Sequence, residues 1–346
     1  MRRTLCALLL AAGNALAQAQ VPCGWEDKAC AQRAIPDHPV RGIAYWAPAL
    51  RQPLAARIGP APREVLQYLE LDNISNGIAN RPRPARLDAT FLEEVRHALA
   101  GLPAKVTVPL KDRLAGIHFL EDFGGTGFFD EVRDAEDRAV AGFVVLDPSA
   151  LQRTANEWAT WKERSPFAPG GPVTLQAVIR EPAEDTRRHA IQYILLHELG
   201  HMMAIGADVH PSWRLQPAQV RSTRRYAFFR LSWRHAPDRK TYATRFDDAF
   251  PQRKDVVYYF GPKLAAAQML GTYEALERTS FVTLYGATNP YDDFAEAFAS
   301  YVHVVLMGKP WEIRLLREGA PVKTYRTCWD EPRCAEKRRI LEALLR

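Results

Sequence analysis

Five residues constrain this chain more than any others: His197-Glu198-Leu199-Gly200-His201, at the end of the apolar run Ile191-Gln192-Tyr193-Ile194-Leu195-Leu196. The run reads as a buried helix. Histidines four apart on a helix stand one turn above each other, so both imidazoles can reach one metal ion, for which zinc is the expected occupant. Glu198 is rotated from His197 by about 100°, which places it beside the ion, where it can take a proton from a water the metal polarises. With nine histidines in 346 residues, chance yields such a pentapeptide in on the order of 1 % of chains. A helix-compatible run before it and a helix start near Glu184-Asp185-Thr186 argue against chance.

The chain opens Met1-Arg2-Arg3, followed by a short apolar run from Leu5 to Ala12 and an Ala15-Leu16-Ala17 end. This reads as a cleaved secretory signal over residues 1–17, with an apolar core too short to span a membrane. Cys6 leaves with the signal. The other four cysteines fall into two local pairs, Cys23 with Cys30 and Cys328 with Cys334, as expected of disulfides in an exported chain; zinc-thiolate ligation suits spacings of seven and six poorly. The net charge of +6, lowered to +4 once Arg2 and Arg3 are removed, does not mark a nucleic-acid binder. No later segment has the apolar length of a membrane helix, and nothing in the sequence sets an oligomeric state. The expected destination is the periplasm or the medium.

Residues 18–104 read as an N-terminal arm, extended to about residue 60, and then helices over Arg63 to about Asp72 and after Asp88. Residues 105–310 read as the main domain. Val106-Thr107-Val108, Gly116 to Leu120 and Ala141 to Leu146 are expected strands of one sheet, separated by Gly124-Gly125-Thr126-Gly127 and an acidic loop at Asp134 to Asp137. The strand around Ile117 to Leu120 is an expected edge for an extended peptide, and His118 within it is expected to have no chemistry. Asn156 to Phe167 reads as an aromatic connector. The metal helix should run from about Thr186 to Met203 and end near Gly206. An insert at about 208–261, dense in aromatics and arginine, reads as a basic face over an aromatic core. Helices around Lys263 to Glu277 and Asp292 to Val305 follow, then a disulfide-stapled extension over 311–346.

Two histidines leave a catalytic zinc site one protein ligand short. A histidine six residues after His201 is ruled out by Ala207; His210 and Asp208 are off frame but close. Glu296 is the stronger candidate. It lies in Asn289-Pro290-Tyr291-Asp292-Asp293-Phe294-Ala295-Glu296-Ala297-Phe298, an amphipathic helix with Pro290 in its first turn. Ala295, Ala297 and Ala299 would let this helix approach the metal helix closely, and a carboxylate buried there must be paired or metal-bound. Asp292 or Asp293 is a weaker candidate for orienting a ligand histidine.

The pentapeptide, together with Phe294-Ala295-Glu296-Ala297-Phe298 and the preceding Tyr285-Gly286-Ala287-Thr288-Asn289-Pro290, resembles the gluzincin zinc metallopeptidases related to the catalytic domain of anthrax lethal factor, over about residues 115 to 305. The resemblance implies an α+β, zincin-like metallopeptidase fold with a small mixed sheet, an active-site helix and a downstream glutamate helix. It implies one Zn2+ held by His197, His201 and Glu296, Glu198 as general base, and Tyr285, or the nearer Tyr291, stabilising the transition state. A peptide or protein would be the substrate. The alternatives are a zinc hydrolase of a non-peptide, cell-wall substrate and a non-catalytic exported binding protein with a zinc site.

Overall fold

The structure, a computed structural model, describes residues 23–346; the expected signal segment lies outside them. The fold is mixed α+β. Residues 23–60, expected as an extended arm, are folded into the body: helices α1 (Lys28–Ala34) and α2 (Ile43–Leu50) precede strand β1 (Ile58–Pro60), which pairs in parallel with the sheet. Two anchors explain this. Trp46 is buried and donates its indole N–H to Val40 O, while the Arg57 guanidinium donates to the carbonyls of Leu50, Gln52, Lys111 and Leu114. Helix α3 (Arg63–Asn76) runs about one turn past the expected end near Asp72 and stops at Gly77, whose φ of 70° favours glycine. After the short β2 (Arg83–Pro84), α4 (Ala89–Ala100) starts where the Asp88 side chain accepts from Phe91 N.

The expected strand at Val106 is instead helix α5 (Ala104–Arg113). Val106 and Leu110, one turn apart, are both buried while Val108 is 55 % exposed, so packing at helical period overrides the β preference of valine. Strands β3 (Leu114–Glu121), β4 (Gly127–Arg133) and β5 (Ala139–Leu146) follow. The sheet runs β1-β3-β5-β4, with β2 also paired to β3. Both of its faces are covered: Ile117, Phe119, Val144 and Leu146 pack toward the main core, and Ala115, Leu120, Phe143 and Val145 toward α2 and α3. Strand β3 therefore lies inside the sheet and is not the expected edge. That edge is β4, which has β5 on one side and, among the described residues, a single bridge from Gly42 to Arg133 at its end.

The expected aromatic connector is helix α6 (Ala155–Arg164), started by a capping box of Thr154 and Glu157. Strand β6 (Val173–Val178) then joins β9 (Glu312–Arg317) and β10 (Ala320–Arg326) in a second, antiparallel sheet, so the C-terminal extension is part of the core. Between the sheets runs α7 (Arg187–Met203), buried nearly all round. The 208–261 insert carries α8 (Phe229–Ser232) and the hairpin β7 (Trp233–His235) and β8 (Tyr242–Thr244). Its Phe228, Phe229 and Trp233 are buried while Arg221, Arg224, Arg225, Arg230 and Arg234 are exposed, as expected of a basic face over aromatics. Helix α9 (Met269–Leu276) leads to α10 (Pro290–Ser300), and α11 (Ala335–Leu344) closes the chain. Both expected disulfides are formed, Cys23–Cys30 and Cys328–Cys334. No helix among the described residues is long and apolar enough to cross a membrane.

Candidate metal centre

Helices α7 and α10 cross at their small residues. A Cβ built on Gly200 would stand 2.8 Å from Ala295 Cα, so only glycine lets the backbones come this close. Ala295, Ala297 and Ala299 are all fully buried. The crossing brings the first turns of α10, capped by the Asn289 side chain accepting from Tyr291 N and Asp292 N, against the histidine face of α7.

The acid that meets the two imidazoles is Asp292. Its Oδ1 lies 3.5 Å from His197 Nε2 and 3.6 Å from His201 Nε2, and the three atoms fall within 4.8 Å of one another, so His197, His201 and Asp292 could hold a metal ion. Two imidazole nitrogens and one carboxylate oxygen, with room for a fourth position, make a donor set that zinc fits. Glu296, the expected third ligand, is 1 % exposed and stands on the other side of His197. Its Oε1 faces His197 Nδ1 at 3.0 Å and accepts from Lys162 Nζ at 2.8 Å, and its Oε2 accepts from Thr283 Oγ1 at 2.8 Å. Asp292, rather than Glu296, thus joins the two histidines in the group that could hold an ion, and Glu296 stands where an acid orienting His197 was expected. Asp293, the other candidate for orienting a histidine, is turned away, paired with Lys337 Nζ and Trp233 Nε1.

Burial by itself would lower the His197 pKa, but hydrogen bonds to Asp292 and Glu296 override it and push it up to about 10. His201 is pushed down to about 3, by burial first and by the charge on His197 second. Burial raises Glu198 to about 7, against the pull of His197. A Cβ built on Gly127 would stand 2.2 Å from Glu198 Oε1, so the start of β4 is pressed against this carboxylate and leaves no space for a side chain. The His201 ring stacks on Phe129 at 6.1 Å and lies edge-on to Trp213.

Two cavities of about 580 and 610 Å³ meet at Gly127, His197, Glu198 and Tyr285. The first is walled by Trp158, Trp161, Tyr259 and Phe260, the second by Phe128, Asp130, Arg214 and Tyr291. Gly127, the first residue of β4, borders both, and Phe128 to Asp130 border the second. Tyr285 stands at the junction, its ring 5.6 Å from that of His197, whereas Tyr291 lines only the second cavity and packs against His210 at 5.1 Å. His210 donates its Nδ1–H to Pro211 O, and Asp208 pairs with Arg225 at the surface; neither belongs to the group that could hold a metal. His118 is stacked on Trp46 inside the fold, apart from the site. Lys162, not singled out from the sequence because its segment read as a connector, is delivered to Glu296 by α6.

In comparisons with protein families, characterised proteins and solved structures, nothing matches the chain.

Proposed function

We propose that the chain is an exported, zinc-dependent peptidase with a zincin-like catalytic body, similar in plan to the lethal-factor-related gluzincins. The observation that carries this is the convergence of His197 Nε2, His201 Nε2 and Asp292 Oδ1 beside Glu198, at the junction of two cavities that meet at the start of strand β4, the second of them running along it. Zinc held by these three side chains would supply Lewis acidity and make water a stronger acid near neutral pH. Glu198 then serves as the base that takes the water's proton and returns it to the leaving amine. Tyr285 donates a hydrogen bond to the oxyanion that develops on the carbonyl, a contribution of about 3 kcal/mol for a preorganised donor. Strand β4 offers unpaired backbone groups along the cleft, which suits an extended polypeptide held by main-chain bonds and favours a peptide over a cell-wall glycan as substrate. The two disulfides agree with export to an oxidising compartment.

The test is digestion of a peptide library by the purified protein, with and without a chelator, alongside Glu198→Gln. Cleavage that stops on chelation and returns with zinc, and a Glu198→Gln protein that keeps its metal but loses turnover, are the expected results. A wild-type protein that takes up no zinc, or loaded protein that cleaves nothing in the library, refutes the proposal.

A further inference from the structure

The chemistry just described makes no use of Lys162, yet few side chains in the molecule are placed at greater expense. It is 4 % exposed, and an ammonium taken from water costs several kcal/mol unless it is closely paired. Its Nζ donates to Glu296 Oε1 at 2.8 Å, lies 3.6 Å from Glu163 Oε1 and sits 4.5 Å from the centre of the Tyr285 ring. Glu163 is held in turn by the hydroxyls of Tyr258 and Tyr273, at 2.9 and 3.1 Å. The Glu296 oxygen that accepts from Lys162 is the one facing His197 Nδ1.

We propose that Lys162 is a positioning residue for the metal centre: by holding Glu296 Oε1 in place as the acceptor of His197 Nδ1–H, it leaves the His197 Nε2 lone pair free for an ion that His197, His201 and Asp292 would share. Three donors, Lys162, Thr283 and His197, surround Glu296, which therefore acts only as an acceptor and cannot rotate without losing one of them. Removing the ammonium leaves two buried carboxylates, Glu163 and Glu296, with no cation between them, and nothing then keeps Glu296 against His197. Partners that fix a ligand histidine in this way typically account for 10- to 100-fold in metal affinity. The arrangement also ties the aromatic wall of the first cavity, through Tyr258 and Glu163, to the imidazole that would bind the metal.

This inference rests on the metal-binding reading, and one experiment separates the two. Zinc affinity is measured by competition with a chromophoric chelator for wild type, Lys162→Met, Glu296→Gln and the double variant, with urea unfolding of each metal-free protein recorded separately. Lys162→Met should bind zinc at least about tenfold more weakly. The double variant should recover most of that loss, because a neutral carboxamide accepts from His197 without needing a cation beside it. Zinc binding by Lys162→Met within twofold of wild type, whatever its stability, overturns the inference and leaves the metal centre standing. Wild type that takes up no zinc overturns both. Should Lys162→Met not fold, the other pair decides: a double variant that binds more weakly than Glu296→Gln refutes the proposal, since Lys162 would then act by a route other than Glu296, and equal or tighter binding supports it.

Discussion

Gly200→Ala sets two effects of known size against each other. In a helix interior alanine is favoured over glycine by about 1 kcal/mol. Here, however, the new Cβ would stand 2.8 Å from Ala295 Cα and 3.0 Å from Ala295 O, where ordinary contact begins at 3.4 Å. Both neighbours are backbone, so no flexible side chain can give way, and α10 must move off α7 by about 0.6 Å or more, the difference between those distances, in an interior that is already close-packed. Overpacking of this kind costs about 1–3 kcal/mol, so the net loss in stability should stay below about 2 kcal/mol. The metal centre is far less tolerant. Ligand distances hold to about 0.2 Å, and the helix that must move is the one carrying Asp292. Zinc affinity should therefore fall at least tenfold, or about 1.4 kcal/mol, even though the fold survives. Chelator competition measures the first quantity and urea unfolding of the metal-free protein the second. Gly271→Ala in α9 is the control: a Cβ there meets nothing within 4 Å, so it should leave zinc binding unchanged. A Gly200→Ala protein that is stabilised and binds zinc like wild type would refute the claim that this crossing sets the ligand geometry.

Lys337→Met should destabilise the protein by about 3–5 kcal/mol in urea unfolding, because it strands the fully buried Asp293 carboxylate; Asp293→Asn in the same protein should restore most of the loss, and a change under about 1 kcal/mol would contradict the pairing. Tyr285→Phe should slow cleavage about 100-fold with zinc content unchanged, while Tyr291→Phe should not, as kcat on a cleaved library peptide would show. Acid should weaken the fold through His118, whose pKa burial lowers from 6.5 to about 4, against the smaller pull of the backbone at Pro60 and Gly59. Between those values the unfolded chain binds a proton that the folded chain does not, so stability present above pH 6.5 is lost as the pH falls toward 4, by roughly 3 kcal/mol. In His118→Phe that part of the pH dependence of urea unfolding should vanish, and an unaltered profile would count against it.

The candidate site was legible where its chemistry is local. His197, Glu198 and His201 share a face because they share a helix, and Ala295, Ala297 and Ala299 announced a close crossing that Gly200 completes. The choice between Asp292 and Glu296 was not legible. The two are one turn apart on the same face of α10, and which one meets the imidazoles depends on how far that helix has slid along α7, a quantity set by the whole interface. The fold shows the same limit. Strand β4 was hidden because Asp130 and Glu131 interrupt its apolar pattern; both are buried, Asp130 paired with Arg214 from the later insert and Glu131 with Arg133 at the end of the same strand. Helix α5 was misread because three residues of alternating pattern fit either period, and α6 because its two tryptophans and four charged residues gave no single apolar stripe. In each case the deciding contact comes from a distant segment.

The ion pair of Asp293 with Lys337 has a consequence for the order in which the protein is made. Asp293 is the immediate neighbour of Asp292, and its counter-charge comes from α11, synthesised well after both histidines. A nascent chain that already carries His197 to His201 has no Lys337 for Asp293, the acid beside Asp292, until residue 337 has left the ribosome and docked. Under the proposed function, the surroundings of Asp292 would thus be completed only after helix α11 has docked, well after the two histidines are in place.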